Sequence, residues 1–147
     1  MRRFLLLSLL ITILFSCHEN ENPSLAEFPQ KWVLAGYFSV WMPENGIVPI
    51  TDSLYYYELR KDGTFTKFIG EFELDGTYEK GKDELYNRDN IIFQYDQETY
   101  LEDRERGAFG LIHNCGMDSE YFSFVDSNTI RGSWGACDGP NLYFERQ

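Results

Sequence analysis

Between Glu71 and Glu79 the chain alternates without a break. Phe72, Leu74, Gly76 and Tyr78 share one parity, and Glu71, Glu73, Asp75, Thr77 and Glu79 share the other. A helix would spread both sets round its circumference, whereas a strand sends successive side chains to opposite faces. The pattern therefore predicts a half-buried antiparallel strand with one wet face. Such a strand must lay its apolar face against more sheet, so the rest of the chain has to supply that sheet.

It does so in short pieces. Residues 31–41 place Trp32, Leu34, Gly36, Phe38 and Val40 on one parity, with Val33, Ala35 and Tyr37 on the other. Strands are also expected over 54–60, 64–69, 85–95, 107–113, 121–125, 129–135 and 141–146. The Asp62-Gly63 pair between 54–60 and 64–69 reads as a hairpin turn in which both central residues take positive φ. Gly70 marks a bend or bulge through which 64–69 and 71–79 form one bent strand or two separate ones. The loop 42–53, with Pro43, Asn45, Gly46 and Pro49, is long enough to act as a lid or binding loop. The charged run 96–106 is either a helical turn or a solvated loop. Eight or nine short strands with frequent turn signals and little helix predict an all-β antiparallel barrel or sandwich.

Before this domain stand Met1-Arg2-Arg3 and a stretch from Phe4 to Phe15 that is apolar except for Ser8 and Thr12. A basic flank, an apolar core and a small residue make the layout of a secretory signal. A dozen helical residues span roughly 18 Å, short of a bilayer core of about 30 Å, so 1–16 reads as a removed targeting segment. Leu14-Phe15-Ser16-Cys17 resembles the lipobox of bacterial lipoproteins, which implies that Cys17 becomes the lipidated first residue. Residues 17–29 are polar and turn-forming and read as a flexible tether. The expected location is extracytoplasmic, on a bacterial membrane held through the lipid. The acidic pair Glu19 and Glu21 is similar to surface-export signals of some Gram-negative lipoproteins, which points to the outer membrane, on its periplasmic or surface face.

Three cysteines in an exported chain leave two after Cys17 is used. Cys115 and Cys137 are expected to form a disulfide in an oxidising compartment; a metal pair or a catalytic thiol are the rival uses. The formal net charge of −11 repels nucleic acid, so no nucleic-acid partner is expected. The sequence holds 12 Phe, 10 Tyr and 3 Trp, ample for a packed interior.

From about residue 28 to the end, the chain resembles the lipocalin-like group of small bacterial lipoproteins within the calycin barrels. The resemblance rests on Trp32, on Arg60-Lys61-Asp62-Gly63-Thr64-Phe65, on Gly76-Thr77-Tyr78, and on Cys137-Asp138-Gly139-Pro140 with Tyr143 to Arg146. It implies an eight- or nine-stranded barrel over 30–147, closed where Trp32 on the first strand meets Arg146 on the last. It also implies a small apolar or amphipathic ligand in the barrel mouth. Leu34, Phe38, Tyr55, Tyr57, Phe72, Leu74, Tyr78, Ile130 and Trp134 would line that site, with Trp41 and Met42 as its gate. The same side chains equally serve as plain interior packing. The domain would then act at its surface on a protein or glycan, with Trp41, Tyr55, Tyr56, Tyr57 and Trp134 as stacking platforms.

No enzyme is expected. Gly-x-Ser-x-Gly, HExxH and phosphate-loop patterns are missing from the sequence. Carboxylate pairs of a hydrolase need only proximity, which 24 acidic residues supply by chance. Neither a metal nor a cofactor is expected.

Overall fold

Each long strand inferred from alternation finds an antiparallel neighbour on both sides. The computed structural model describes residues 28–107, 110–132, 134 and 137–147. The leader 1–16, the lipidation residue Cys17 and the tether up to residue 27 lie outside the described residues. The elements are β1 (Gln30–Phe38), β2 (Val48–Pro49), β3 (Tyr55–Leu59), β4 (Thr64–Ile69) and β5 (Phe72–Asp83). They continue with β6 (Arg88–Gln94), α1 (Gln97–Glu105), β7 (Ser119–Asp126), β8 (Thr129–Gly132) and β9 (Asn141–Arg146). The order around the sheet is β1-β3-β4-β5-β6-β7-β8-β9, and β9 returns to pair with β1. This is a closed eight-stranded antiparallel barrel; β2 is an extra two-residue strand on the upper part of β1. Closure removes the free sheet edges that an open sheet would expose.

Trp32 and Arg146 are directly opposed at the β1–β9 seam, as the resemblance implied. Trp32 is buried, meets Phe124 edge-on at 5.9 Å, and donates its indole N–H to Gln30 Oε1 at 3.3 Å. Phe28, Gln30 and the 60–63 turn define the lower end of the barrel. The 39–54 loop, the long β6–β7 connection 95–118 and the β8–β9 connection define the upper end.

The seam also contains a bulge between Leu34 and Gly36. One extra residue reverses every later side chain. Tyr37, opposite Leu142, therefore packs against the core, and Phe38 turns to the outer face opposite Asn141. The expected inward placement of Phe38 is corrected by that single inserted residue. Gly76 and Gly132 occupy inward positions where a Cβ would meet the rings of Phe65 and Phe122 at 2.6 and 2.7 Å. Their missing side chains are space that those rings fill.

Of the two readings of Gly70, separate strands hold: at φ 60° it turns the chain between β4 and β5, whose residues Ile69 and Phe72 are paired. Two further expectations change. In the 60–64 turn only Gly63 has positive φ, because a three-residue loop lies between Arg60 and Thr64, with Asp62 accepting the Thr64 backbone N–H at 3.0 Å. The described part of 107–113 is loop, not strand. Its Leu111 and Ile112 N–H groups go to the Asp103 carboxylate at 2.6 and 3.0 Å, leaving no donors there for a ladder. The charged run resolves as α1, whose N-cap Asp96 accepts the Thr99 N–H at 2.8 Å.

Cys115 and Cys137 are joined, with Cα atoms 5.5 Å apart, and tie the β6–β7 connection to the β8–β9 connection. A cross-link over 22 residues restricts the unfolded chain by about 3 kcal/mol. The Cys115→Ser/Cys137→Ser double variant is expected to lose about that much in urea unfolding, with the barrel signature in far-ultraviolet circular dichroism retained.

Candidate functional site

The upper half of the barrel interior holds charge. Phe65, Lys67 and Ile69 share the inward parity of β4, and Glu120, Phe122 and Phe124 share that of β7. The position between two apolar neighbours thus carries Lys67 inward from one wall, and the top of β7 carries Glu120 inward from another. Their side chains are 0% and 1% exposed and meet at 2.6 Å.

Glu120 is saturated. Oε1 accepts from Lys67 Nζ and from the His113 backbone N–H, each at 2.6 Å. Oε2 accepts from the hydroxyls of Tyr57 at 2.8 Å and Tyr95 at 2.6 Å. Burial alone would raise the Glu120 pKa, but the Lys67 charge and these hydrogen bonds bring it below the ordinary carboxylate value. Burial lowers Lys67, and Glu120 opposes that fall. Lys67 also donates to the Leu111 carbonyl. Burial, and after it the Glu120 charge, hold Tyr55, Tyr57 and Tyr95 well above the usual phenol value, so their hydroxyls stay protonated donors.

A hydrogen-bonded chain runs outward from this centre. Tyr57 donates to Glu120, so its oxygen receives the Tyr55 hydroxyl at 3.1 Å; Tyr55 in turn is left to accept from His113 Nδ1–H at 2.9 Å. Burial, then the Lys67 charge, lower the His113 pKa to about 4, so the imidazole is neutral at pH 7. Trp134 stacks on it with centroids 4.6 Å apart and planes 14° apart, and donates its indole N–H to the Asn114 carbonyl. The charged pair is therefore capped by the β6–β7 connection, and that connection is capped by Trp134.

Below the ion pair the interior is made of rings. Tyr57 stacks on Phe93 at 4.6 Å and meets Phe144 at 5.1 Å and Phe122 at 5.6 Å. β3 and β7 lie four places apart in a circle of eight, hence on opposite walls. Tyr57 reaching Glu120 and Phe122 therefore spans the barrel axis. A carrier of this size needs a hollow there; side chains of the protein occupy it instead.

Of the residues inferred from sequence, Leu34, Tyr55, Tyr57, Leu74, Tyr78 and Ile130 do converge inside, as packing. Phe38 faces out. Phe72 is at the rim, 39% exposed. Trp134 lies beyond the end of β8, over His113 rather than on the wall. Trp41, 71% exposed, and Met42 project from the upper loop without covering a cavity mouth. Sequence reasoning missed Lys67, Tyr95, Asp103 and Glu120. Lys67 was legible, since it breaks an otherwise apolar parity. Glu120 fell one residue outside the inferred strand, and Asp103 was hidden in a run of like residues. Among the described residues, no three of His, Cys, Asp and Glu converge as metal ligands.

No family model matches the chain, and no curated protein matches it. A DUF4847 family protein from Bacteroides vulgatus, known from its crystal structure, is similar with 16% identity over 78% of this chain and 90% of its own, at a TM-score of 0.40.

Two outcomes test the buried network. Lys67→Met and Glu120→Leu each strand a charge and are expected to cost about 3–5 kcal/mol in urea unfolding, while the double variant costs much less than their sum. For His113 the folded pKa lies below the unfolded one, so the unfolded chain binds the proton first and stability falls with acidification from about pH 6.5 toward 4. The chain is expected to be about 2 kcal/mol less stable at pH 5 than at pH 7, and His113→Asn to flatten that slope.

Proposed function

We propose that this chain is a lipid-anchored extracytoplasmic module, held by Cys17 on the outer membrane, that binds a protein partner through its upper loop and carries no ligand in its barrel. The observation that carries this reading is the contact of Tyr57 with Glu120 and Phe122 across the axis. An interior spanned by its own side chains supports surface action over sequestration.

The surface offers a place for that action. Val40, Trp41, Met42, Ile47 and Leu54 are all exposed and all lie on the loop between β1 and β3, with Trp41 at 71% and Leu54 at 69%. The loop is pinned, not free: Ile50 N–H bonds the Ala35 carbonyl at 2.8 Å, β2 pairs with β1, and Gly36 allows close approach because a Cβ there would meet the Val48 carbonyl at 2.9 Å. A held loop presenting Trp, Met and aliphatic side chains suits the apolar centre of a protein interface, where ordering costs little on binding. The loop lies at the barrel end opposite Phe28, where the tether would arrive, so an anchored domain presents it away from the bilayer.

The reading has a direct check. A photoreactive residue at position 41, in the full chain expressed in its host, is expected to yield one discrete protein adduct that Met42→Ser/Ile47→Ser abolishes without changing thermal stability. Cys17→Ser is expected to shift the chain from the membrane fraction to the soluble one. Adducts absent at position 41, or insensitive to the loop substitutions, overturn the docking role.

A further inference from the structure

On the outer wall, near the lower end, β5 to β8 enclose a cleft of about 320 Å³ lined by Asp83, Tyr86, Arg88, Tyr121, Ser123 and Arg131. Register builds it: Arg131 stands beside Ser123, Ser123 beside Asn90, and Arg88 beside Asp83. Two arginines line this one cleft on a chain of net charge −11, and neither is ion-paired among the described residues: no carboxylate oxygen lies within 4.0 Å of Arg88 or Arg131. The one acid in the cleft, Asp83, is otherwise engaged. Its Oδ1 accepts the Leu85 and Tyr86 N–H groups at 3.0 and 3.2 Å, and its Oδ2 accepts the Tyr121 hydroxyl at 3.4 Å.

The arginine on β8 adds a second observation. Arg131 Nε is buried and bonds to no described residue. A buried donor without a partner costs about 1–3 kcal/mol, more when charged, a cost that an anion held by the same guanidinium would offset. Two guanidinium forks arriving from different strands offer more donors than the two oxygens of one carboxylate can take, but match a tetrahedral group. We infer that this cleft binds a phosphate group, held by Arg88 and Arg131 with the Ser123 hydroxyl, while the Tyr86 ring at the rim covers the organic body of the ligand.

The phosphate has two sources, a soluble ester or a lipid headgroup. The cleft lies at the barrel end where the chain enters: the Phe28 ring sits 5.2 Å from Lys80 Nζ, three residues before Asp83 on β5. Leu85 and Tyr86 project from the adjacent turn, 82% and 68% exposed. Only the headgroup source rests on the lipid-anchored reading; the site itself is independent of that reading and of the upper loop.

The test uses the full chain, labelled with ¹⁵N in a phosphate-free maltoside detergent and titrated with inorganic phosphate while arginine Nε–H correlations are followed. A saturable shift of the Arg88 and Arg131 signals is expected. It should weaken at least tenfold in Arg88→Gln and in Arg131→Gln, and be unchanged in Arg104→Gln on α1. Arg131→Lys keeps the charge but loses the fork, so a tenfold loss there with a native amide spectrum assigns the effect to geometry rather than unfolding. The same shift in phosphatidylcholine bicelles, and not in galactolipid bicelles, names the headgroup as source; a shift with inorganic phosphate alone names a soluble ester. No saturable shift with either, or equal affinity in the Arg88→Gln/Arg131→Gln variant, overturns the site.

Discussion

The structure depends on one contact made across the middle of the barrel. Glu120 on β7 receives Lys67 from β4, Tyr57 from β3 and Tyr95 from the end of β6, so four walls meet at one carboxylate. An ion pair at this depth gains little by itself, because desolvation offsets most of its attraction. What it imposes is order. Each of its four donors has to be present and oriented, or a charge is left in a region without water. That requirement fixes the strand register and forbids an empty interior.

The same requirement explains the upper cap. Lys67 and Glu120 both need acceptors and donors that the strands cannot provide, and the β6–β7 connection provides them from its backbone, through the Leu111 carbonyl and the His113 N–H. Asp103 folds that backbone into place from α1, and Trp134 with the Cys115–Cys137 bond fastens it from the other connection. A long segment without strands is thereby made part of the core. The outer surface carries two separate features: exposed apolar side chains on the upper loop, and two arginines without carboxylate partners on the lower wall.

Much of this was legible in the residues. The alternation at 71–79 gives the wet and dry faces of β5; the Trp32–Arg146 pairing was implied by the resemblance and required an even strand number, which the closed barrel supplies. The inward set Leu34, Tyr55, Tyr57, Leu74, Tyr78 and Ile130 follows from parity alone. Phe38 escaped because a bulge at residue 35 leaves no mark of its own in the alternation of side chains. The strand inferred at 107–113 failed because a distant carboxylate, Asp103, claimed its donors.

The sequence by itself determined an all-β antiparallel fold and the inward parity of many of its aromatic rings, because side-chain alternation and turn residues are local properties. Whether those rings surround a space or fill it was decided only in three dimensions. That answer depends on which residues face one another across the axis, and Tyr57 and Glu120 are 63 positions apart in the chain. Lys67 and Glu120 read separately are ordinary surface charges; closure of the sheet turns them inward together and makes them the centre of the domain.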